Sequence, residues 1–235
     1  MSELRKPELA AIEALAKHFS ATWEHGEQPP DAYVKIGKKE IAVDITAIKQ
    51  RMIKWDDQAK PRLRFDKVVL ELIGRLQTGL HATVPDGKTL IVTVTAPIRL
   101  PGKTADTLED RILSSLAHRS ARLELKDTIH GNQVRVRLVK SFGGTSRVIG
   151  FVHNPDSDPE ILLGVTDLML KCIGADAGKG MPAGFAGDRW LVIGYEGKPI
   201  QVDTYRQVCS QISLPSDLKK VLMVFAGGLV ESLSG

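Results

Sequence analysis

The chain has 235 residues, 43% apolar and 26% charged, enough for one large globular domain or two small ones. A net charge of +4 permits a polyanionic partner without naming one, and with no run approaching 18 apolar residues, neither a membrane span nor a secretory leader is expected. Cys172 and Cys209 stand 37 residues apart with no CxxC pairing, which argues against a disulfide framework or thiolate zinc site and for a reducing, cytoplasmic setting.

In chain order, Pro7 and the spacing of Leu9, Ile12, Ala16 and Phe19 predict a helix over 7–20. After the break at "GEQPP", two short apolar runs, "DAYVKI" and "EIAVDIT", joined by "GKK", predict a hairpin. Residues 49–64 read as a charged loop, "RFDKVVLELIGRLQTGL" as a helix ending near Gly79, and "TLIVTVTAPI" as a strand. Residues 104–118 predict another helix, with Thr104 as its cap. "QVRVRLVK" alternates strictly, and with "SRVIGFVHN" beyond a Gly-Gly turn it predicts a second hairpin carrying Arg135 and Arg137 on its basic side. Asp158, Pro159 and Glu160 signal a helix start. A glycine-rich loop at 174–188, the strand "RWLVIGYE", a short helix near 202–211 and the strand "KVLMVFA" complete the chain. The economical reading is one α/β domain over 1–235, with a β-rich, variable insertion at about 85–153.

The anomaly is Asp44, a carboxylate between Val43 and Ile45 in a strand that otherwise reads as buried. Alternation sets Ile41, Val43 and Ile45 on one face and Ala42, Asp44 and Thr46 on the other. Asp31 opens the preceding strand, and its 13-residue separation across a tight hairpin can bring the two carboxylates together. Two ionised carboxylates at about 4 Å repel by roughly 4 kcal/mol at an effective dielectric near 20, so the pair needs a proton, a basic side chain or a divalent cation. Mg²⁺, which favours one or two carboxylates with waters and phosphate oxygens, is one natural answer.

A helix with an inward glutamate, a Pro-Asp opening a strand and an acid in the next strand resembles the PD-(D/E)XK, or restriction-endonuclease-like, nuclease superfamily. The resemblance covers residues 8–50 and 158–196 and implies an αβα core with a mixed sheet. It also implies Mg²⁺ (or Mn²⁺) held by Asp31, Asp44 and the helix residue Glu13, and hydrolysis of DNA phosphodiesters as an endonuclease. The position of the family lysine is Thr46 here; Lys35, Lys49 and Lys171 are the candidate replacements, with Lys171 ranked first. If no lysine reaches the acids, the expectation becomes a catalytically inactive relative that binds nucleic acid or protein. Each residue has a plainer reading too: Pro30-Asp31 is ordinary turn chemistry, Glu13 can neutralise Lys17, and Lys171 can pair with Asp167.

Lys49, Arg51 and Lys54, beside Trp55, together with Arg135 and Arg137, form a candidate DNA-tracking surface, with a solvated loop and strand face as the alternative. DNA is the expected partner, no membrane is expected, and a homodimer is left open. "GADAGKG" (174–180) fails as a phosphate loop: it has three residues where four belong between Gly174 and Gly178, and Gly180 stands where a magnesium-binding hydroxyl belongs. The six histidines show no zinc spacing, and no GxSxG elbow occurs.

Overall fold

The computed structural model describes residues 4–27, 29–48, 63–64, 66–118, 123–142, 145–177, 179, 181, 184–196 and 202–234. The fold is α/β, with five helices and two mixed sheets among these residues. The chain divides into two compact units: Met1–Ile53 with Cys172–Ser210 and Leu214–Gly235, and Lys54–Lys171 with Gln211–Ser213. The insertion expected at about 85–153 therefore lies inside a longer second unit. No helix among the described residues is long and apolar enough to cross a membrane.

The first unit opens with α1 (Lys6–His18), whose first turn holds Pro7 and Glu8 and whose last turn holds Lys17 and His18. Proline tolerates the missing amide there, and both charge placements suit the helix dipole. Strands β1 (Thr22–His25), β2 (Ala32–Ile36) and β3 (Lys39–Ile48) follow as an antiparallel meander. After the second unit come β8 (Asp188–Tyr195), α5 (Val202–Cys209), β9 (Leu218–Phe225) and β10 (Val230–Ser234). The sheet order is β1-β2-β3-β8-β9-β10, parallel from β3 through β9 and antiparallel outside that stretch. Ile12 and Leu15 of α1 share one core with Val34, Val43, Trp190, Val192 and Leu222, so α1 covers one face. Side-chain alternation sends Arg189, Tyr195, Asp44 and Thr46 to the other face, where the Tyr195 ring lies 6.2 Å from that of Tyr205 in α5.

The second unit comprises α2 (Lys67–Leu80), β4 (Lys88–Thr95), α3 (Pro101–His118), β5 (Glu124–Ile129), β6 (Asn132–Lys140), β7 (Val148–His153) and the first turns of α4 (Pro159–Ala177). Its sheet runs β5-β6-β4-β7. Leu72, Leu76 and Leu80 of α2 and Leu108 and Ile112 of α3 share a separate core with Leu90, Val92, Val134 and Val152. The expected hairpin of 133–140 with 146–154 does not form. β4 lies between them, antiparallel to β6 and parallel to β7, and the partner of β6 across a tight turn is β5. Six of the eight residues of β4 are buried, so it requires a neighbour on each edge. Thr104 is not a cap: α3 begins at Pro101, and the Thr104 hydroxyl donates to the carbonyl of Arg99 at 2.7 Å. The predicted start of α4 has its signature in place, with the Glu160 amide donating to the Asp158 carboxylate at 2.9 Å.

Candidate functional site

The β2–β3 register pairs Ala32 with Val43 and Val34 with Ile41; one further step sets Asp31 opposite Asp44. The Ile45 amide donates to Asp31 Oδ2 at 2.8 Å, fixing that carboxylate across the hairpin. Asp44 is fully buried. The hairpin therefore brings the two acids together, and what stands between them is an ammonium group. Lys179 Nζ lies 3.1 Å from Asp31 Oδ2 and 3.1 Å from Asp44 Oδ1. Burial by itself would lower the Lys179 pKa, but the carboxylates of Asp44 and Asp31 outweigh it and hold the pKa above its ordinary value.

The far oxygen of Asp44 is taken by a second cation, with Arg189 Nε donating to Asp44 Oδ2 at 3.1 Å. Arg189 is itself buried at the start of β8 and also reaches Asp217 and Asp176. Two acids and two bases thus compensate one another in the inner cluster. Asp176, at the end of α4, and Asp217, just before β9, are two further carboxylates on Arg189. Burial first, and then the charge of Asp44, push the Asp176 pKa up to about 7 against the opposing pull of Arg189 and Lys179.

The remaining expected residues fall elsewhere. Glu13 is exposed on the wall of a surface cleft with Lys17, Gly227 and Gly228. The α1 carboxylate that feels Lys179 is Glu8, whose pKa is lowered chiefly by its hydrogen bond from Arg5 and, to a smaller degree, by Lys179. Five residues separate Glu8 from Glu13, which turns their side chains to different sides of the helix. Lys171 is exposed and paired with Asp167 at 2.5 Å. Lys35 is held by Glu24 and Glu40. Lys49, Arg51 and Lys54 lie outside the described residues. In the second unit, Arg137 donates to Glu124 at 3.2 Å and to Glu160 at 2.8 Å, and Arg135 lies 3.8 Å from Glu160, so the basic side of β6 is largely neutralised by glutamates.

Two site residues escaped sequence reasoning. Lys179 belongs to "GADAGKG", in the glycine-rich stretch that fails as a phosphate loop; nothing local links it to a strand 135 residues earlier. Arg189 left a trace, since a charged residue entering the apolar strand "RWLVI" is the same kind of anomaly as Asp44.

Among the described residues, no group of three or more histidine, cysteine, aspartate or glutamate side chains is arranged to hold a metal ion. The Asp31 and Asp44 oxygens nevertheless converge on one cation, the ammonium of Lys179, and two hard carboxylate oxygens are the protein share that Mg²⁺ ordinarily takes. The donor set fits a hard divalent ion. No protein-family model, no curated protein and no solved structure matches the chain.

Proposed function

We propose that the first unit is a restriction-endonuclease-like core and that the protein hydrolyses DNA phosphodiesters with Mg²⁺ or Mn²⁺, Asp31 and Asp44 acting as the ligands. The supporting observation is the convergence of two cross-strand carboxylates and one lysine on a single point. Lys179 takes the part that Thr46 cannot. A bound cation supplies Lewis acidity toward a phosphoryl oxygen and a source of hydroxide near neutral pH. Lys179, with its raised pKa, stays protonated, so its role is to hold a non-bridging phosphate oxygen and stabilise developing negative charge, not to abstract a proton. Asp31 is oriented by the Ile45 amide and Asp44 by Arg189, so neither carboxylate has to be ordered when substrate arrives.

A catalytically inactive nuclease-fold protein that binds nucleic acid or protein is the second reading. The observation in its favour is the mutual neutralisation of Asp31 and Asp44 by Lys179 and Arg189. The test is nicking of supercoiled plasmid and single-stranded circular DNA in Mg²⁺ or Mn²⁺. Wild type is expected to nick, chelator to stop it, and Asp31→Asn, Asp44→Asn and Lys179→Met each to slow it by roughly a hundredfold or more. Retardation of DNA without nicking of any substrate favours the binding reading.

A further inference from the structure

Arg189 is 2% exposed, yet its guanidinium grips three separate segments. Nε donates to Asp44 Oδ2 on β3 at 3.1 Å, and Nη1 donates to Asp217 Oδ2, just before β9, at 2.5 Å. Nη2 donates to the Asp176 carbonyl at the end of α4 at 2.5 Å, with Asp176 Oδ2 at 3.0 Å. A buried charge cluster of this kind is a poor way to stabilise a fold, since well-packed apolar side chains of similar volume are often as good or better. Leu191 and Ile193, which follow it on the same face of β8, are apolar and fully buried. The arginine does two things that they cannot.

It occupies the rear oxygen of Asp44, so the carboxylate cannot rotate and Oδ1 is left facing Lys179 and Asp31. It also holds the main chain at Asp176, three residues before Lys179, which anchors the stem of the lysine. One rigid, planar fork therefore sets the acid and the ammonium relative to each other, a task to which a single flexible ammonium is unsuited.

We propose that Arg189 is the positioning residue of this site, aligning Asp44 for the divalent cation and anchoring the backbone that presents Lys179. This inference rests on the nuclease reading, and its test separates the two. Mn²⁺ alone is titrated into the DNA-free protein and followed by electron paramagnetic resonance, with nicking kinetics measured alongside, for wild type, Asp44→Asn, Arg189→Lys and Arg206→Lys. Arg189→Lys keeps the charge and loses the fork. It is expected to weaken Mn²⁺ binding by roughly 10- to 100-fold and to lower kcat with KM for DNA little changed, the usual consequence of removing a partner behind a metal ligand. Arg206→Lys loses an arginine fork on Glu231 elsewhere in the first unit and is expected to stay within about twofold of wild type in both readouts, which a general effect of replacing an ion-paired arginine does not predict.

A folded Arg189→Lys with wild-type Mn²⁺ affinity and kcat overturns the positioning role, provided Asp44→Asn has lost the ion. Wild-type binding by Asp44→Asn overturns the metal reading itself, and with it this proposal. Should Arg189→Lys not fold, nuclear magnetic resonance of ¹⁵N-labelled wild type decides: Mg²⁺ that shifts the Ile45 amide, the reporter of Asp31, must also shift the Arg189 Nε resonance. An Arg189 signal that stays still overturns the proposal.

Discussion

Asp176 is 1% exposed, and its carboxylate lies 3.0 Å from Arg189 Nη2 and close to the Asp44 carboxylate. Burial and the Asp44 charge raise its folded-state pKa from 3.8 to about 7. Between those values the unfolded chain has lost the proton while the folded protein keeps it, so the folded state binds more protons and stability falls as pH rises from about 4 to about 7. At about 1.4 kcal/mol per tenfold difference, the loss is roughly 4 kcal/mol at most. Asp176→Asn removes that slope. Urea denaturation of wild type and variant at pH 5 and pH 8 checks it: the wild type should lose a few kcal/mol more than the variant across the interval, and parallel losses would assign the raised pKa to another group. Lys179 behaves in the opposite sense. Its raised pKa keeps it charged throughout this range, and because its charge pulls the Asp176 pKa down, Lys179→Met should carry the pH slope to higher pH while removing the compensation of Asp31 and Asp44.

Elements hold these residues through packing that single substitutions can probe. In the second unit, Val148, Gly150 and Val152 of β7 turn toward α2, and a Cβ at Gly150 would stand 2.3 Å from Ile73 Cδ1 and 2.9 Å from its Cγ2. No rotation of one methyl relieves both contacts. Gly150→Ala is therefore expected to destabilise by about 1–3 kcal/mol, the usual range for overpacking, and Ile73→Val, which deletes Cδ1, to restore part of the loss in the double variant. Chemical denaturation of the two single variants and the double variant measures the coupling; strictly additive effects would mean that the helix is held off β7 by something other than this contact. In the first unit, the equivalent precision comes from the β2–β3 hairpin, because a slip of one residue would turn Asp44 to the α1 face.

For the molecule as a whole, the decisive fact is that each unit has its own apolar core, Ile12, Val43 and Trp190 in one and Leu76, Val92 and Leu108 in the other. Every residue of the candidate site belongs to the first unit. A ligand bound only by the native state stabilises it by about 2.7 kcal/mol at a hundred times its dissociation constant, and the effect appears where the site is. Hydrogen exchange with saturating Mn²⁺ is therefore expected to protect amides of β3 and β8 while leaving β4, β5 and β6 unchanged. Asp44→Asn should abolish that protection. Protection spread evenly over both units, or none at all, would count against a cation site at Asp31 and Asp44.

What the sequence determined by itself was local. The hairpin, its register and the two acids it pairs are written within about a dozen residues, where turn chemistry and strand alternation leave little freedom. The helix start at Asp158 was legible for the same reason. Short or polar strands such as β1 and β5 carried too little pattern to be seen, and the order β5-β6-β4-β7 could not be read because alternation shows which face a residue takes but not which strand lies beside it. Only the tertiary structure decided that the ammonium between the two acids is that of Lys179, 148 residues from Asp31, and that Arg189, 145 residues from Asp44, stands behind the acid. The physical reason is that propensity acts over neighbouring residues, whereas a charge in a buried site is neutralised by whichever partner the packed chain brings within about 3 Å.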